Sequence, residues 1–94
     1  MDEAVAIDHL EALAHKLGVP VRYERLDSET AFPSGGLCRV RDKHFIIVNA
    51  TAAPAEKLRT LAAALRRFDL SGIYVKPAVR ELLEETGDWG DEKG

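Results

Sequence analysis

The amino-acid sequence predicts an α+β domain of two layers: a three-stranded, mainly antiparallel sheet packed with about three helices. Three observations predict it. Apolar residues recur at helical spacing in three separate stretches, period-two alternation follows the first of them, and two β-rich runs flank the polar tripeptide Arg41-Asp42-Lys43. A chain of 94 residues accommodates one such domain, assigned to residues 1–87, with residues 88–94 as an acidic, flexible tail.

The first helix is expected over residues 4–17, where Ile7, Leu10, Leu13, Ala14 and Leu17 form one stripe. Gly18 follows at the position of a left-handed C-terminal cap. From Val19 to Leu26 the period changes to two, with Val19, Val21 and Tyr23 on one face and Arg22 and Glu24 on the other, as a half-buried strand requires. Pro20 favours its first position or a sheet edge. Residues 27–36 carry turn formers without periodicity and read as a loop of about ten residues.

Residues 37–48 read as a hairpin. With Asp42-Lys43 as a two-residue turn, Arg41 lies opposite His44, Val40 opposite Phe45 and Cys38 opposite Ile47. Val40, Phe45, Cys38 and Ile47 then make an apolar face. Arg39, Arg41 and His44 share the other face with Leu37, Ile46 and Val48. Cys38 and His44 point apart, which argues against a nucleophilic Cys-His pair. A second helix is expected over 54–68, with Thr51 as its cap, Pro54 in its first turn, and Leu58, Leu61, Ala62, Leu65 and Phe68 inward. Ile73-Tyr74-Val75 reads as a short strand or an extended crossing. Pro77 starts a third helix, over 77–86, with Val79, Leu82 and Leu83 inward.

Composition narrows the function classes. No apolar run approaches the roughly 20 residues that cross a bilayer, and acids at Asp2 and Glu3 do not match the start of a secretory signal. One cysteine cannot form an internal disulfide, which fits a reducing cytoplasm. The net charge of −3 is uneven: residues 1–35 carry −4, residues 36–80 carry +6 and residues 81–94 carry −5. A basic middle between acidic ends suits neutralisation within the fold or across a dimer.

Chemistry-bearing constellations are sparse. His9 and His15 are six apart, about 240° around a helix, so they cannot share a metal ion, and Glu11 with His15 lacks a third ligand and reads as a solvated pair on the outer helix face. No metal and no cofactor is expected. Gly35-Gly36 leads into a strand rather than from a strand into a helix, the wrong order for a phosphate loop. Cys38 sits at an apolar strand position and reads as a small hydrophobe. The candidate binding residues are Arg22, Arg39, Arg41 and His44, a basic strip that Glu24 on the neighbouring strand can neutralise. Trp89 in the acidic tail is an aromatic without an element to pack in.

The order helix, strand, loop, Gly35-Gly36-Leu37-Cys38 strand, hairpin ending Ile46-Ile47-Val48-Asn49, then helix, resembles the beginning of the ImmA/IrrE-type bacterial metallopeptidase domains. That likeness covers residues 4–68 and implies a small bacterial protein with their scaffold and a cleft. It does not extend to activity. Where that family carries H-E-x-x-H, this chain has Leu58-Arg59-Thr60-Leu61-Ala62-Ala63-Ala64-Leu65-Arg66, with neither histidine nor glutamate.

No residue set supplies nucleophile, base and oxyanion donors together. The expectation is a non-catalytic intracellular protein-interaction or regulatory module that forms a homo-oligomer, a dimer, without membrane contact. Leu37, Ile46 and Val48 on the second sheet face, expected to lie away from the helices, motivate the self-association. The alternative is a nucleic-acid or anion binder using Arg22, Arg39, Arg41, Arg59, Arg66 and Arg67. The shortage of exposed aromatics for base stacking argues against nucleic acid.

Overall fold

The structure, a computed structural model, describes residues 2–25 and 35–91, with side chains through residue 85. Three helices and three strands follow in the order α1 (Glu3–Lys16), β1 (Val21–Glu24), β2 (Gly35–Val40), β3 (Lys43–Asn49), α2 (Pro54–Leu65) and α3 (Pro77–Asp91). The fold is α+β, as expected. Its sheet is mixed, with spatial order β1-β3-β2: β2 pairs antiparallel with β3, and β1 lies parallel to β3 on the other side.

Each helix end has a local cause. Leu17 caps α1 and Gly18 follows at φ +76°, so that the Gly18 N–H reaches the His15 carbonyl at 3.0 Å and the Val19 N–H reaches Ala14 at 2.9 Å. These two bonds satisfy carbonyls the helix leaves open, and glycine supplies the left-handed residue the motif needs. At α2 the expected Thr51 cap is corrected: Ala53 is the capping residue and Pro54 opens the helix. Thr51 is engaged elsewhere, donating its N–H at 3.0 Å and its hydroxyl at 2.9 Å to the Asn49 side-chain oxygen. That Asx turn carries β3 into α2. The helix ends at Leu65, short of the expected 68, where the chain tightens into i→i+3 bonds from Arg67 to Ala64 and Phe68 to Leu65. In contrast, α3 runs to Asp91, past the expected end at 86. Residues 26–34 and 92–94, which hold most of the expected loop and the end of the expected tail, lie outside the described residues. Ile73-Tyr74-Val75 is not a strand: Ile73 lies in a bend, its N–H bonded to the Leu70 carbonyl at 3.3 Å, and Tyr74 and Val75 carry no regular secondary structure.

The hairpin turn differs by one residue from expectation. Its central pair is Arg41-Asp42, because Val40 pairs with Lys43, Arg39 with His44, Cys38 with Phe45 and Leu37 with Ile46. Arg41 alone of the two has positive φ, at 60°, the sign pattern of a type II′ turn, in which glycine is usual. The shift preserves which residues share a face, since strand parity is unchanged. Which face is covered is the reverse of expectation. Ile46 and Val48 are fully buried beneath the helices, while Cys38, Phe45 and Ile47 are half-buried and Val40 is exposed on the side without helices.

The core is built from Leu10, Ala14, Ile46, Val48, Leu61, Ala62 and Leu65, all at 0% exposure, with Val75, Val79 and Leu83 closing its outer side. Helix α2 is its centre, touching α1, α3, β2 and β3; α3 touches α1 and α2 and no strand. No helix among the described residues is long and apolar enough to cross a membrane.

Candidate functional site

The uncovered sheet face and the cleft at its end bring together some of the sequence-predicted residues and separate others. On β1, Arg22 lies beside Ile47 of β3 and points to the uncovered face. There its guanidinium stands 5.4 Å over the Phe45 ring and 2.9 Å from the Glu24 carboxylate. Glu24 thus neutralises Arg22 of its own strand and not the expected strip of Arg39, Arg41 and His44, and a pair this exposed contributes at most about 1 kcal/mol. Arg39 and His44 are cross-strand partners on the opposite face. His44 is half-buried and packs edge-on against Phe68, with ring centroids 5.5 Å apart. Arg41 sits in the turn, where its carbonyl accepts a bond from Arg39 Nε at 3.2 Å, and Arg39 also stands 3.8 Å from the Asp42 carboxylate.

The four predicted residues thus form no single strip. Arg22 and His44 meet only at the rim of a shallow cleft of about 610 Å³, where the end of α1 (Leu17, Gly18) and Pro20 approach Lys43 and Phe45. Arg39 and Arg41 are not part of it.

Cys38 is half-buried on the uncovered face, its thiol 3.7 Å from the Gly36 carbonyl and on the side of the sheet away from His44. Gly35 begins β2 at φ +90°, and a Cβ there would stand 2.1 Å from the Ile47 carbonyl oxygen. Gly35 therefore serves the close approach of two strands, whereas Gly36, at φ +150°, has open space where a Cβ would stand. Among the described residues no group of three or more His, Cys, Asp or Glu side chains could hold a metal ion.

Sequence reasoning missed a second grouping, on the helical side. Tyr23 of β1 donates its hydroxyl to Glu11 of α1, and the Lys57 ammonium of α2 stands 5.8 Å from the centre of the same ring. Burial together with the Glu11 carboxylate raises the Tyr23 phenol above its ordinary value. Twelve and thirty-four residues separate Tyr23 from these partners, so only the docking of β1 on α1, with Lys57 of α2 reaching over the same ring, reveals the cluster. Glu11, expected to pair with His15 in solvent, is committed to Tyr23 instead.

No family model, curated protein or solved structure matches this chain.

Proposed function

We propose that this chain is a non-catalytic protein-interaction module of the reducing cytoplasm, whose uncovered sheet face pairs with the same face of a second copy. The observation that carries this reading is the one-sided covering of the sheet. Ile46 and Val48 are fully buried on the helical side, whereas on the other face Val40 is exposed and Cys38, Phe45 and Ile47 are half-buried, with no covering layer among the described residues. Two such faces can stack about 10 Å apart with their side chains interleaved.

Electrostatics favours a second copy over an acidic polymer. An isologous contact must be complementary to itself, which a strongly single-signed patch is not. On this face Arg22 and Glu24 neutralise each other, and the other predicted arginines lie outside it: Arg39 points to the helical side, Arg41 occupies the turn, Arg59 is on α2, and Arg66 and Arg67 follow the end of that helix. The four basic residues therefore do not converge as a phosphate-tracking surface would require.

Sedimentation equilibrium at low and high salt tests the proposal, with a short mixed-sequence oligonucleotide titrated in parallel. The expected result is a dimer that does not weaken with salt, converted to a folded monomer by Ile47→Asp. A monomer throughout, a dimer indifferent to Ile47→Asp, or oligonucleotide binding lost steeply with salt would each overturn it.

A further inference from the structure

We propose that the cleft between α1 and the start of α3 is a docking site for an acidic peptide segment that carries one bulky apolar side chain. Its floor is aliphatic. Leu13 of α1 and Val75 and Val79 at the entry to α3 lie at its base, each between 5 and 6% exposed. The rim carries Lys16, Lys76 and His9, and among the described residues no acidic side chain lines the cleft. In a chain of net charge −3 this is a local excess of positive charge.

Two further features add to that field. The Lys76 carbonyl accepts the Val79 and Arg80 N–H groups at 3.0 and 2.9 Å, so α3 begins beside the cleft and the positive end of its dipole lies at the cleft's edge. Lys16 makes only a 3.4 Å contact with the Tyr74 carbonyl, and among the described residues neither Lys16 nor Lys76 has a carboxylate partner. Tyr74 itself stands at the rim, 70% exposed. A large aromatic left out of the core beside an apolar floor is the kind of residue that anchors interfaces.

Size selects the ligand class. The cleft measures about 140 Å³. An apolar cavity of roughly 150 Å³ accepts a benzene-sized group, whereas pockets that enclose whole small-molecule ligands begin near 300 Å³. The cleft is also open to solvent on one side, so a bound group continues outwards, as the side chain of a longer chain does. A nucleotide would want more stacking surface than Tyr74 alone provides. Acidic residues flanking one apolar anchor match both the floor and the rim.

The site is independent of self-association. It lies on the helical side of the molecule, so a copy bound to the sheet leaves it accessible.

The experiment is an amide NMR titration of the full chain with the pentapeptide Glu-Asp-Trp-Asp-Glu, repeated with alanine in place of its tryptophan and with inorganic phosphate. Saturable shifts centred on the amides of residues 12–16 and 75–79 are expected. The alanine peptide and the Lys16→Glu, Lys76→Glu double variant should each bind at least about tenfold more weakly, since one removes the anchor and the other reverses the rim. Both lysines are exposed and the variant should fold, which its own spectrum verifies. Absence of shifts, shifts centred elsewhere, equal binding by the double variant, or equal saturation by phosphate would overturn the assignment.

Discussion

Tyr23 on β1 donates its phenolic proton to the Glu11 carboxylate on α1, which joins the edge strand to the first helix by a side-chain bond as well as by packing. The phenol of the folded chain holds its proton more tightly than an unfolded one, whose ordinary value is about 10. Because the folded state then binds more protons, stability is full below about pH 10 and falls as pH rises above it. Tyr23→Phe should lower stability by about 1 kcal/mol at neutral pH and flatten the difference from wild type above pH 10. Urea midpoints of the two proteins at pH 8, 10 and 11 measure this; parallel alkaline losses would remove Tyr23 as the cause.

Gly35→Ala should be the most damaging of the glycine substitutions. The added Cβ would meet the backbone oxygen of Ile47, which cannot move without breaking the β2–β3 ladder. The backbone there is also at φ +90°. A loss above about 2 kcal/mol is expected. Gly18→Ala, with a left-handed φ but open space around it, should cost about 1 kcal/mol. Chemical denaturation of the two variants would show the ordering, and a reversed order would exclude strand approach as the reason for Gly35.

Arg41→Gly should stabilise the protein by about 1 kcal/mol, since it relieves a non-glycine residue of positive φ at the first central position of the hairpin turn. The exposed Arg41 side chain offers no packing to lose. Arg41→Val should do the opposite, because a β-branched residue fits that region worst. Thermal melts of both variants check the pair of signs.

Two adjacent isoleucines separate folding from association. Ile46→Ala removes a fully buried side chain beneath the helices and should cost about 2–4 kcal/mol. Ile47→Ala, on the uncovered face, should cost less than about 1 kcal/mol under conditions where the protein is monomeric. Denaturation at low protein concentration, set beside sedimentation, distinguishes the two; similar monomer losses would mean that the second face is covered from within the chain.

This pair of residues also marks where sequence reading stops. The helices and the division of hairpin residues between two faces follow from periodicity, and Leu10, Leu13, Leu58, Leu61 and Leu65 are buried where their spacing puts them. Yet Ile46, Ile47 and Val48 are consecutive, so both faces of β3 are apolar and alternation cannot say which one the helices cover. The turn shifted because Arg41 tolerates a positive φ that its residue type gives no reason to expect. The parallel pairing of β1 was hidden for another cause: its partner is β3, not the next strand in the chain. Of the candidate site, the proximity of Arg22 to Glu24 was legible from alternation. Lys16 and Lys76 are sixty residues apart, and only the packing of α3 on α1 places them on one rim.

The strand order β1-β3-β2 also imposes a sequence of events on a chain emerging from synthesis. The first strand made has no partner until the third exists, whereas β2 and β3 can zip together locally and α2 can dock on them at once. The segment α1–β1 therefore waits, its apolar stripe and strand edge open, until residues 43–49 have appeared. During that interval the nascent chain is at its most vulnerable to pairing with the wrong edge, and the prolyl residue and exposed arginine at Pro20 and Arg22 stand where they hinder it.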